Sequence, residues 1–220
     1  GMLFVCGSSY LYEYDLESQA AKPVLNWLDS YITADYVQDV TQLEDGNFML
    51  YYQDWEKDSN ELVKLTKTKA TELPEKETIV IATLYGQNQG IEHAIVDFNK
   101  SNSQYKVVYK TYYDLNAEWT ENLYNDTIKA MNMDLVSDNP PDIIDLSNIN
   151  ISTLADKGVL EDLYPYLEKS TVLKKEDFVP SVLNAYTYND KLVTIPSSFS
   201  INSLIAKKSL VGDAESCTIE

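Results

Sequence analysis

Arginine is absent from this chain of 220 residues: all 17 of its basic side chains are lysines. Arginine's planar fork is the side chain best shaped to hold a carboxylate or phosphate through two parallel hydrogen bonds. A pocket built from these residues therefore does not grip an anion in that way. Neutral, hydroxyl-rich ligands fit better by comparison, although a coding bias toward Lys, Asn, Ile and Tyr accounts for the same skew. Positive charge is scarce altogether. Against the 17 lysines stand 35 acidic residues, for a net charge of -18. That balance excludes the basic face a phosphate backbone needs, so no nucleic acid is expected as partner, and it disfavours anionic membrane surfaces.

Histidine and cysteine are nearly missing too. The two cysteines, Cys6 and Cys217, sit near opposite ends with no Cys-x-x-Cys spacing. Neither a disulfide framework nor a zinc site is indicated, and no cofactor or metal is expected. A Ser-His-Asp or Cys-His catalytic arrangement would have to use His93, the single histidine. It lies off the apolar stripe of its helix and reads as a solvated surface residue, and no nucleophile elbow is present. Carboxylate pairs such as Asp142 with Asp145, or Glu161 with Asp162, are unavoidable among 35 acids. Asp134 to Asp138 lacks the glycine on which a calcium loop turns, and Gly86-x-x-x-Gly90 lacks the Lys-Ser/Thr of a phosphate loop. Catalysis is not expected. Glycoside hydrolysis through one carboxylate pair stays open as the enzymatic alternative, and a β-rich surface interaction module as the third class.

No apolar run is long enough to span a bilayer, so this chain is expected to carry no signal or transmembrane segment. Gly1 before Met2 reads as a remnant of tag removal. Leu3-Phe4-Val5-Cys6-Gly7 is similar to a lipoprotein cleavage box, but Val5 stands where a small residue is wanted. The stretch reads instead as an edge strand ending at Gly7.

What is abundant is tyrosine, 17 residues, much of it in short alternating strands. Tyr10–Leu16, Val24–Leu28, Tyr36–Val40, Phe48–Tyr52 and Glu61–Leu65 follow one another at about ten-residue spacing. The turn signal Glu44-Asp45-Gly46-Asn47 separates two of them. Residues 1–74 are thus expected to form an antiparallel β-meander. It resembles a β-propeller blade through Leu11–Leu16, Leu25-Asn26-Trp27 and Leu43–Asn47, and closing a propeller takes about four to eight such blades. A charged stretch over 66–77 marks the domain boundary.

Beyond it the period changes. Thr78–Leu84 is a β-branched strand, and Ile91, Ala94, Ile95 and Phe98 fall at helical spacing as a buried face. Tyr105–Tyr113 is a second strand, and Leu123, Ile128, Met131 and Leu135 mark a second helix. Asp142–Leu146 reads as a buried third strand, followed by a helix over Ile151–Gly158 closed by glycine in the left-handed position. Strand, helix, strand, helix, strand predicts an α/β fold with a mostly parallel sheet. Ligands in such sheets sit beyond the carboxyl ends of the strands, here Tyr85-Gly86-Gln87-Asn88, Tyr113-Asp114 and Ser147-Asn148. Hydroxyls, amides and an aromatic face suit a sugar.

Residues 77 to 220 resemble the first lobe of family-1 extracellular solute-binding proteins, the maltose-binding-like receptors of ABC importers. The matching residues are Thr78–Ile81, Ile95–Asn102 before Tyr105-Lys106-Val107, Pro141–Asp145, Leu154–Leu163 and Asn189–Pro196. Two departures stand out. Asn132–Pro140 is longer than the family's alanine-glycine turn and lacks its glycine, and Ser216–Glu220 resembles a signature that opens a helix well inside the domain, with Cys217 where a Trp is usual. The resemblance implies a periplasmic-binding-protein-like lobe over residues 75–220 whose second lobe is largely missing from a truncated chain. It implies a non-catalytic receptor for a small solute, a neutral saccharide on the composition above, partnered by an ABC permease and anchored at the cell surface in its full-length form. An incomplete lobe would also leave apolar surface for self-association. The expected ligand contacts are Tyr85, Gln87, Asn88, Asp114, Ser147, Asn148, Ser197 and Ser198.

Overall fold

The computed structural model describes residues 2–86, 89–113, 120–147, 149–196, 198–200, 207 and 209. Contacts group the chain into two compact units, Gly1–Ile149 and Asn150–Glu220.

The first unit opens with six strands in two antiparallel sheets of three. One contains β1 (Met2–Cys6), β2 (Tyr10–Asp15) and β3 (Ala20–Asn26); the other β4 (Val37–Gln42), β5 (Phe48–Asp54) and β6 (Ser59–Leu65). The alternation seen in the sequence is the cause. Along β5, Phe48, Leu50 and Tyr52 turn inward while Tyr51 faces solvent, as the two-residue period requires. Together with Leu11, Trp27, Ile32 and Tyr36 they form one hydrophobic core shared by both sheets. Gly46 supplies the positive φ of the β4–β5 turn, at +77°. Gly7 is needed for close approach instead. A Cβ there would come 2.8 Å from the Tyr12 ring and 3.2 Å from the Tyr10 carbonyl oxygen, and the Gly7 carbonyl accepts the indole N–H of Trp27 at 2.9 Å.

A third sheet in the same unit is parallel, ordered β8 (Tyr105–Thr111), β7 (Glu77–Thr83), β9 (Ile143–Ile144). Helix α1 (Gln89–Ser101) links β7 to β8, and α2 (Glu121–Asp134), capped by the Thr120 hydroxyl on Leu123 N–H at 3.0 Å, links β8 to β9. Asn99 pins α1 to the sheet. Its side chain, 1% exposed, donates to Val107 O at 2.8 Å and accepts from Val107 N at 2.7 Å.

Three expectations are corrected here. The buried face of α1 is Glu92, Ile95, Val96 and Asn99, with Ala94 exposed, because the helix packs against the meander as well as against β8. His93 is accordingly not a solvated surface residue: its ring lies against Tyr36. The third strand is neither long nor buried. Only Ile143 and Ile144 pair with β7, and Ile143 is 50% exposed. Pro140 and Pro141 have no N–H to extend the ladder, and the Asp142 carboxylate, not a strand carbonyl, accepts Val80 N–H at 2.8 Å. Of the stripe expected on α2, Met131 is fully buried, beside Thr127.

The second unit holds α3 (Ile151–Asp156), α4 (Tyr164–Lys169), α5 (Pro180–Ala185) and a hairpin of β10 (Thr187–Tyr188) and β11 (Lys191–Leu192). Asn150 caps α3, and Gly158 closes it at φ +68° as the sequence predicts. Asn189 and Asp190 both take positive φ in the hairpin turn, where these residue types are tolerated. Leu167, Leu183 and Leu192 form the core. One oxygen of Asp162 accepts from both Tyr164 N and Leu192 N at 3.1 Å, tying the start of α4 to the hairpin.

Candidate functional site

The carboxyl ends of β7, β8 and β9 form one edge, and backbone bonds carry it past the strands. Tyr112 N donates to Thr83 O at 3.2 Å, Tyr113 N to Leu84 O at 3.1 Å, and Asp145 N to Ala82 O at 2.8 Å. The residues that follow each strand are therefore held in register with one another.

Three tyrosines meet on this edge. The Tyr85 ring lies 5.6 Å from Tyr113, tilted by 53°, and 6.2 Å from Tyr124, nearly parallel at 19°. Each arrives from a different element: Tyr85 after β7, Tyr113 after β8, Tyr124 from the first turn of α2. All three are half-buried. Burial first, then the neighbouring Tyr124 and Tyr113, push the Tyr85 phenol above the ordinary tyrosine range, so it presents a neutral hydroxyl. Aromatic faces with hydroxyl tips can stack on the apolar face of a ring and hydrogen-bond its substituents.

Asp134, at the end of α2, braces the end of β8. It accepts from Lys110 Nζ at 2.7 Å and from the Tyr112 hydroxyl. Lys110 first, then Tyr112, holds the Asp134 carboxyl below its usual value, while burial followed by Asp134 raises the Tyr112 phenol. At the β9 end, the Asp145 carboxylate accepts from Ser147 N at 2.9 Å, fixing the turn that carries the exposed Ser147 hydroxyl.

Of the expected contacts, Tyr85 and Ser147 stand on this edge, after β7 and β9. Ser198 is exposed in the second unit. Gln87, Asn88, Asp114, Asn148 and Ser197 lie outside the described residues. Sequence reasoning missed Tyr124. The signal was available, since a helix that follows a parallel strand begins at the carboxyl edge, and Thr120 marks that beginning.

Among the described residues no group of three or more His, Cys, Asp or Glu side chains is placed to hold a metal ion. No helix among them is long and apolar enough to cross a membrane. The chain matches a family model over residues 87–215, more than half its length, and the family is that of the bacterial extracellular solute-binding proteins. No curated protein and no solved structure matches it.

Proposed function

Because this chain belongs to the bacterial extracellular solute-binding protein family, we propose that it is a non-catalytic receptor component of an ABC importer. It works outside the cytoplasm, at the cell surface, and takes a neutral saccharide at the carboxyl edge of the parallel sheet. In this reading residues 75–220 supply a partial solute-binding lobe, and residues 1–74 a blade-like meander that packs on α1 of that lobe.

The tyrosine trio carries the saccharide reading. Three rings from three elements converge where an open α/β sheet binds its ligand, in a chain without arginine to clamp an anion. Asp145 and Ser147 add a polar acceptor and a hydroxyl at the same edge.

Titration calorimetry with neutral oligosaccharides, short peptides and dicarboxylates tests it. Heat from a sugar, reduced at least tenfold in affinity by Tyr85→Ala, supports the reading. A response to peptides or dicarboxylates and to no sugar overturns the saccharide assignment.

A further inference from the structure

One residue past Tyr85 the edge opens into a cavity of about 160 Å³ whose described lining includes Gly86. Its far wall comes from the meander: Ser8 in the β1–β2 loop, with Asn26 and Trp27 at the end of β3. Its near wall is Glu92 from the first turn of α1, with Tyr109 and Thr111 at the end of β8. Neither lobe nor meander alone encloses this space.

The chemistry of the walls is specific. Among the described lining residues there is no lysine, and Glu92 is the one carboxyl. Glu92 is 8% exposed, and burial followed by the nearby Asp35 raises its pKa; its carboxyl oxygens are acceptors for a ligand's hydroxyls. Hydroxyls stand at Ser8, Tyr109 and Thr111, and an amide at Asn26. The Trp27 indole N–H is already given to the Gly7 carbonyl, so Trp27 offers only its apolar ring. At roughly 30 Å³ per water the space holds about five waters, about the bulk of one sugar ring. An anion would find no counter-charge there, whereas ring hydroxyls could replace the hydrogen bonds of those waters.

We propose that this cavity is a second subsite, walled jointly by the meander and the lobe, that takes a single neutral sugar ring adjoining the tyrosine edge. The proposal rests on the saccharide reading above and gives the meander a part in binding.

The assigned Trp27 indole cross-peak in ¹H–¹⁵N spectra reports on the cavity, and calorimetry reports on the whole protein. The probes are D-glucose, D-galactose, N-acetylglucosamine and maltose. The expected result is a saturable shift of the Trp27 peak with at least one of them. Ser8→Phe and Thr111→Phe, both at exposed rim positions, weaken that shift at least tenfold; two variants are used so that misfolding of one leaves the test intact. If calorimetry shows binding sensitive to Tyr85→Ala while the Trp27 peak stays still, the subsite is overturned and the edge reading stands. If the Trp27 peak shifts and no binding depends on Tyr85, the subsite stands and the edge reading falls. If no sugar gives either signal, both are overturned.

Discussion

The Tyr36 hydroxyl lies 3.2 Å from Nδ1 of His93, and the two rings are 4.5 Å apart between centroids, across 57 residues of chain. Nε2 of the same imidazole lies 3.3 Å from the Asp35 carboxylate. With a proton on Nε2 the ring donates to Asp35, and Nδ1 faces both the Tyr36 hydroxyl and, at 3.5 Å, the Glu56 carboxylate. The single histidine thus joins α1 to the meander.

This junction predicts a measurable coupling. His93→Ala removes a ring contact and the hydrogen bonds to Tyr36 and Asp35 from a mostly buried place, and is expected to cost about 1–2 kcal/mol of stability. In urea unfolding, Tyr36→Phe and His93→Ala together should cost about 0.5–1 kcal/mol less than the sum of the single changes. Simple additivity would show that the two residues do not interact.

Tyr36 also sets an alkaline limit. It is 6% exposed, and burial, reinforced by Glu56, Asp54 and Asp35, pushes its phenol up to about 12. A pKa raised in the folded state means the unfolded chain loses its proton first as pH rises. The contribution is fully present below about pH 10 and is lost as pH climbs through about 12, an amount on the order of 2–3 kcal/mol. Chemical denaturation between pH 9 and pH 12 should show this fall in the wild type and a shallower one in Tyr36→Phe. Equal slopes would refute the assignment.

Asn99→Ala should be the most damaging single change on α1. It strands both the N–H and the carbonyl of buried Val107, and leaving buried groups unpaired costs about 2–4 kcal/mol for such a pair. Hydrogen exchange should then accelerate at Val107 before it does so in β5. Unchanged protection at Val107 would mean that water or another group replaces the amide.

Within the trio, Tyr124→Leu keeps bulk but removes the ring stacked near Tyr85. If the proposed saccharide reading holds, sugar affinity falls about tenfold, near 1.4 kcal/mol, with thermal stability changed little, since Tyr124 is only half-buried. Affinity unchanged in Tyr124→Leu but lost in Tyr85→Ala would confine the stacking surface to Tyr85 and Tyr113.

Period-two alternation made the meander legible: Phe48, Leu50 and Tyr52 announce an inner face before any partner is known. The turn at Gly46 and the helix closure at Gly158 were legible because positive φ has few suppliers. The buried face of α1 was not. Counting Ile91, Ala94, Ile95 and Phe98 assumes one packing partner, whereas α1 has two, and the second claims Glu92 and His93. Nor was the poverty of β9, where an Ile-Ile pair looks like core until Asp142 is seen accepting Val80 N–H. At the site, strand order located the edge, yet Tyr124 could be added only by tracing α2 back to Thr120.

Lys76 lies near the end of the charged stretch after β6, and its ammonium reaches Asn99 O in the last turn of α1 at 3.0 Å and Asn102 O just past the helix at 2.7 Å, while lying 5.6 Å from the centre of the Tyr31 ring. Lys106 on β8 meets Asp29 at 2.7 Å on the same side. In mechanical terms the meander is a passenger clipped to α1 and β8, not an arm swinging on a tether. Any rocking of the parallel sheet on ligand capture would carry it along, and a force pulling on the amino terminus would be transmitted to the strands that hold the tyrosines.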